Sequence, residues 1–193
     1  AYLAHRTEGV IQARAIKGAT WAAVVMVLGF VGAGIWLQGI DGYRITSVVD
    51  PSALPNPMSK TVVREAGAWM ANYAAQPLLW ILPVLGVLGA LGAAMLLRAR
   101  HTLTAFVSSA LSIVGVIGTA GVSMFPFIMP SSTMPNASLT VWDSVSSHLT
   151  LGIMFWATII FMPLIVMYTS WAYSVMRGKV SEAYLRENDH AAY

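Results

Sequence analysis

The 193-residue chain contains no cysteine. That excludes disulfides, thiolate-ligated zinc, iron–sulfur clusters and thiol catalysis. Charge is scarce as well: Asp, Glu, Lys and Arg make up 10% of the residues, against about 25% in a soluble domain. The shortage is concentrated rather than uniform. Gly18 to Ile40, Pro77 to Leu97, His101 to Trp142 and Ser144 to Met176 hold no Asp, Glu, Lys or Arg. Each stretch is at least as long as the roughly 20 residues an α-helix needs to cross a bilayer core. A single Arg, Lys or Asp at a span centre costs about 2.5–3.5 kcal/mol, whereas each Leu or Ile returns only about 0.3–0.6. Free of that penalty, all four stretches should insert.

Ionisable groups are also missing at mid-depth. His5, His101, His148 and His190 all lie outside the middle of a span, and no carboxylate lies within one. Ion-coupled carriers place Asp, Glu or His inside the bilayer, and a haem held in a bundle needs an axial ligand at depth. Met124, Met129, Met154, Met162 and Met167 sit at scattered apolar positions and read as core filler. With no nucleophile–base pair and no cluster of metal ligands, no catalytic site is expected.

What is present is apolar: 57% of the chain is hydrophobic. The expected fold is an all-α integral membrane protein, a four-helix transmembrane bundle forming a single membrane domain over 1–193. Its spans should run over about 18–38, 77–97, 102–129 and 150–176, followed by a polar tail, 177–193. Basic residues sort by side. Arg6, Arg14 and Lys17 precede the first span, Arg98 and Arg100 separate the second and third, and Arg177, Lys179 and Arg186 follow the fourth. The other side receives only Arg44, Lys60 and Arg64. The positive-inside rule then places both ends of the chain in the cytoplasm. The same distribution argues against nucleic acid as a partner, because the net charge of +3 flanks apolar segments. The polar run from Ala1 to Lys17 is not followed by a small-residue cleavage site, so the first span is expected to be retained. Residue 1 is Ala, and the chain reads as processed or truncated.

The first long connector, 39–76, should hold structure of its own. Asp50-Pro51 and Pro55-Asn56-Pro57 are turn chemistry, and Asn56 ahead of Pro57 makes a good helix start. Met58, Val62, Ala66, Trp69 and Tyr73 then fall on one face at helical spacing. They predict a short amphipathic helix, lying on the membrane surface, on a partner, or on the bundle itself. The second connector, Pro130 to His148, carries one formal charge, Asp143, among serines and threonines. It should pack on the bundle or on a second subunit. Asn136-Ala137-Ser138 matches a glycosylation acceptor, a match that a bacterial membrane context would make accidental.

Small residues recur every four positions at Gly86, Ala90 and Ala94 and at Gly115, Thr119 and Ser123, the pattern of closely approaching helices. Pro163 should bend the fourth span. Tryptophans near the span ends, among them Trp21, Trp36, Trp80 and Trp171, read as an interfacial belt. A quinone or lipid tail could lodge between such rings and the bundle.

Three motifs point further. They are Gly39-Ile40-Asp41-Gly42-Tyr43, the run Val62-Val63-Arg64-Glu65-Ala66-Gly67-Ala68-Trp69, and Gly118 to Leu151, which contains FPFIMPSS, NASLT and WDSVSS in that order. Together they resemble subunit II of the bacterial cytochrome bd-type quinol oxidases, over essentially the whole chain but only the C-terminal half of that family's length. The resemblance implies half of a pseudo-symmetric eight-span subunit in the bacterial inner membrane. It implies a haem-free supporting role in a complex that oxidises quinol and reduces dioxygen to water, with a structural quinone or lipid held here. Two b-type haems and one d-type haem are then expected in the partner, subunit I. The N-terminal half of subunit II and a small accessory subunit would be further partners, with membrane lipid around them. Arg64, Glu65, Trp69, Trp142 and Asp143 lie in the matching motifs and are expected to make loop and subunit contacts. The alternative reading is half of an inverted-repeat transporter, which requires broken helices and an ion site at mid-depth.

Overall fold

The computed structural model describes residues 1–50 and 55–175. Helix α1 (Tyr2–Arg6) leads into α2 (Gly9–Leu37), followed by strands β1 (Asp41–Ile45) and β2 (Val62–Ala66) and the short helix α3 (Ala71–Ala75). Helices α4 (Ile81–Arg98) and α5 (Thr102–Met124) come next, then β3 (Phe127–Met129), β4 (Leu139–Thr140) and α6 (His148–Val175). Four helical segments are long and apolar enough to span a membrane: Gly9–Leu37, Pro77–Arg98, Thr102–Met124 and His148–Val175. The chain is therefore a multi-pass membrane protein. One end of the spans carries α1 and the tight α4–α5 turn, where Arg100 takes a left-handed φ of 65°. This is the basic end. The other end carries both long connectors and is the cap end.

The tightest packing joins α4 to α5. Lipid offers no hydrophobic drive between helices, so backbones must approach closely and polar groups must pair across the seam. Gly86, Gly89, Ala90 and Ala93 of α4 are buried against Ala105, Ser112 and Gly115 of α5. A Cβ at Gly89 would lie 2.8 Å from the Ser112 amide nitrogen and 2.9 Å from the Ser108 carbonyl oxygen. The Ser112 hydroxyl donates to the Gly86 carbonyl at 2.6 Å, and Ser108 donates to that of Gly89 at 2.8 Å. Thr119 donates within its own helix, to Gly115. These hydroxyls are thus spent on backbone carbonyls of the seam and of α5 itself.

Helix α2 packs on α4. Near the basic end, Ala4 of α1 is fully buried against Leu97 and Ala105. His5 Nδ1 lies 3.1 Å from the Thr102 hydroxyl at the start of α5. Helix α6 behaves differently. It passes unbroken through Pro163, buries none of its residues and makes no extensive contact with any other element. Three spans form the packed unit, and the fourth stands beside it.

Two expectations need correction. The third span does not continue to Met129. It stops at Met124, because Pro126 disfavours helical geometry at Phe125, which is extended (φ −58°, ψ 134°); Phe127–Met129 is strand. Nor does the first connector form an amphipathic helix. Asn56 does cap a turn, its side chain accepting from the Met58 amide, but that turn covers only Pro57–Ser59. Val62–Ala66 is a strand, antiparallel to β1 with Tyr43 opposite Arg64. β-Branched Val62 and Val63 favour this state, and Gly67 at φ 73° ends it. The tail 177–193, with Arg177, Lys179, Arg186 and His190, lies outside the described residues, as do Met176 and Pro51.

Candidate functional site

At the cap end the two connectors are stitched into one layer. Lys60 and Asp143 form its centre. Lys60 Nζ lies 2.6 Å from Asp143 Oδ2, with the side chains only 2% and 7% exposed. Lys60 also donates to the Pro57 carbonyl at 2.8 Å. Asp143 Oδ2 accepts from the Thr140 amide at 3.0 Å and from its hydroxyl at 2.6 Å. Burial pushes the Asp143 carboxyl up, but the hydrogen bonds from Lys60 and Thr140 and the Lys60 charge outweigh it, leaving the carboxyl below its ordinary value of 3.8. A buried pair returns little net stability, since both charges lose water. Its effect is to fix which part of one connector meets which part of the other.

Neighbouring contacts repeat the arrangement. The Val62 amide donates to the Asn136 side chain at 2.8 Å. The Tyr43 hydroxyl donates to the Ser131 carbonyl at 3.0 Å, and Arg64 donates to the Ser132 carbonyl while its guanidinium lies 5.4 Å from the centre of the Tyr43 ring. Ser138 is fully buried and accepts from the Ser131 amide. The glycosylation-like triplet is therefore built into the layer. Rings of Tyr43, Trp69 and Phe127 pack mutually, with centroids 5.6–6.5 Å apart. This needs Gly42, because a Cβ there would lie 2.7 Å from the Trp69 amide nitrogen.

The layer is tied to the spans by α3. Asn72 Nδ2 donates to the carbonyls of Val122 and Phe125, both at 2.7 Å. Those are orphan carbonyls at the end of α5. The Tyr73 hydroxyl donates to the Thr119 carbonyl at 2.9 Å. Beneath α3, between α2, α4 and α5, runs an apolar groove of about 680 Å3. Trp69, Tyr73 and Trp80 form its cap-end walls, and Phe30, Val87 and Val116 continue it along the spans. Its polar and soft groups are the thioethers of Met70 and Met124, the Tyr73 phenol, the Gln38 amide and the hydroxyls of Thr119 and Ser123. The shape and the largely apolar lining suit an aliphatic or prenyl chain. Among the described residues, no three His, Cys, Asp or Glu side chains gather to hold a metal.

Of the residues singled out from sequence, Trp69 roofs the groove and Asp143 anchors the layer. Trp142 packs edge-on to Phe125, with centroids 6.1 Å apart. Arg64 and Glu65 do not form a shared network. They are successive strand residues on opposite faces, and Glu65 pairs instead with Arg44 at 3.3 Å, both side chains more than half exposed. Such pairs contribute about 0–1 kcal/mol. Glu65→Gln should therefore leave the thermal unfolding midpoint in detergent within about 3 °C of the parent. Lys60, Asn72, Tyr43 and Asn136 join the site without having been among the contact residues expected from sequence. A lone lysine in an otherwise apolar and serine-rich stretch was the available signal for the first.

The pattern of this cap and these spans has relatives. The family model for cytochrome bd terminal oxidase subunit II matches residues 1–176. The chain belongs to that family. It is 45% identical over all 193 residues to cytochrome bd-I ubiquinol oxidase subunit 2 of Escherichia coli (strain K12), covering 51% of that protein. It is 42% identical over 192 residues to a probable cytochrome oxidase subunit 2 of Haemophilus influenzae, again covering 51%. This member thus spans about half the length of the curated relatives it matches. Neither a broken span nor a mid-depth charge, the marks of the transporter alternative, occurs among the described residues of this bd-family chain.

Proposed function

We propose that this chain is the C-terminal half of the second subunit of a bacterial cytochrome bd-type terminal oxidase, in the inner membrane with its basic end cytoplasmic. Its role is support. The complex passes electrons from quinol to dioxygen, producing water. The two b-type haems and the d-type haem lie in subunit I. The carrying observation is the combination of a cross-pinned cap, an apolar groove beneath it, and spans whose middle portions hold no Asp, Glu, Lys or Arg among the described residues. A structure of that kind holds shape and excludes water, which suits a supporting role. The apolar groove beneath Trp69 and Tyr73 takes the tail of a structural quinone or a lipid. The uncovered circumference of α6 meets subunit I and the N-terminal half of subunit II, and a small accessory subunit attaches at the rim of the complex.

Purification from native membranes tests this reading. The chain should co-purify with a haem-bearing polypeptide, and the complex should show reduced-haem absorbance. The chain separated from that polypeptide should show none. A haem spectrum from the separated chain, or solute transport by it alone in vesicles, would overturn the assignment.

A further inference from the structure

Among the hydroxyls of α5, that of Ser123 stands apart. Thr102, Thr104, Ser108, Ser109, Ser112 and Thr119 each have a hydrogen-bond partner. Ser123 is 8% exposed, and its hydroxyl has no partner among the described residues. A helical serine commonly bonds the carbonyl four residues back. Here that carbonyl belongs to Thr119, accepts a helix amide, and also receives the Tyr73 hydroxyl at 2.9 Å. Among the described residues no sealed side-chain oxygen or nitrogen goes without a partner, so the Ser123 oxygen keeps an opening. Ser123 lines the apolar groove and borders a second cavity, of about 330 Å3, on the cap side. We propose that the groove seats one acyl chain of a glycerophospholipid from the cap-side leaflet, with the Ser123 hydroxyl donating to an ester carbonyl. This rests on the reading of the groove as a site for an apolar tail, and names the occupant.

The depth of the groove fits one leaflet. Its α5 wall runs from Val116 to Met124 and its α2 wall from Phe30 to Gln38, each about 12 Å at about 1.5 Å per residue. Half of a hydrocarbon core of about 30 Å is about 15 Å. Ser123 lies one residue before the end of α5, and Trp80 stands half-exposed at the same end as an interfacial ring would. That is the level at which ester carbonyls meet the hydrocarbon. An acceptor there satisfies a hydroxyl that burial has stripped of water. Tyr73 packs on Trp80 at 5.3 Å and Trp69 on Tyr43 at 5.6 Å, both tilted. Rings arranged in this way wall a flexible chain rather than presenting parallel faces to a flat headgroup. Val31 and Ile35 line the groove and remain exposed at its rim, a surface for the second chain of the same lipid.

The test uses the protein purified from membranes with whatever it assembles with, its haem content read separately. Native mass spectrometry follows lipid retained after exchange into nanodiscs of diester or diether phosphatidylcholine with the same chains, the diether lacking carbonyls. The parent should retain the diester lipid about fivefold more than the diether. Ser123→Ala, which breaks no hydrogen bond within the described residues, should fold as the parent does and erase the preference. Ser123→Thr should keep most of it. Gly34→Leu fills the groove from a position where a Cβ meets nothing within 4 Å, and should lower retention of both lipids severalfold. Ser109→Ala, whose hydroxyl bonds its own helix, should change nothing. A parent without the ester preference would overturn the proposal, as would a preference that survives Ser123→Ala. A quinone that stays bound while the groove takes neither lipid would overturn it too. Haem content is measured in the same preparation, so its absence would strike the oxidase assignment and leave the ester preference readable.

Discussion

Asp143→Ala should open the cap. The substitution leaves the Lys60 ammonium, 2% exposed, buried without a counter-charge, and also frees the Thr140 amide and hydroxyl. Removing one partner of a buried pair costs about 3–5 kcal/mol, which corresponds to a rise of at least about a hundredfold in the open fraction of the connectors. Limited proteolysis of the protein in detergent reads that fraction, with cleavage expected within 55–62 and 130–147 before the spans are touched. A Lys60→Met, Asp143→Leu double variant removes both charges and should recover most of the protection. If the single variant is cleaved no faster than the parent, the pair does not hold the cap.

The same pair sets an acid limit. The Asp143 carboxyl is held below its ordinary 3.8, so the folded state binds its proton more weakly than the unfolded chain does. Its contribution is complete above about pH 4 and falls away as the pH drops through the folded value. Protection should be flat from neutral pH to about 4 and decline below, and Asp143→Asn should abolish that decline.

Gly89→Ala should separate α4 from α5. The added methyl meets backbone atoms of Ser108 and Ser112 at 2.8–2.9 Å, and backbone cannot rotate away as a side chain could. Overpacking costs about 1–3 kcal/mol, and more where nothing yields. The displaced helices would also lose the hydrogen bonds from Ser108 and Ser112 to α4 carbonyls. Unfolding in mixed micelles should show a loss of at least about 2 kcal/mol, while Gly121→Ala, with nothing within 4 Å of the new methyl, should stay within about 0.5 kcal/mol of the parent. Similar values for the two variants would show that the seam tolerates a wider spacing.

Much of this was legible along the chain. Gly86, Ala90 and Gly115 stand out along the chain as seam residues, though the buried face of α4 continues through Gly89 and Ala93 rather than Ala94, and Ser112 joins it on α5. Asn56 and Pro57 were recognised as a cap, because capping is a three-residue affair. The strand after them was not, since Val62, Ala66 and Trp69 satisfy helical spacing, and only pairing with Asp41–Ile45 decides between the two states. Lys60 and Asp143 are separated by 83 positions, and Asn136 and Val62 by 74. No local pattern links such residues.

The amino-acid sequence alone determined the solvent, the number of crossings and which connectors share a side. Those depend on hydrophobicity and charge summed over some 20 neighbouring residues, quantities that folding does not alter. The tertiary structure alone decided that Lys60 meets Asp143, that β1 and β2 replace a helix, that a groove opens under Trp69, and that α6 stands apart. Each of these depends on the energy of two distant segments brought together, where one buried charge or one missing Cβ outweighs every local preference.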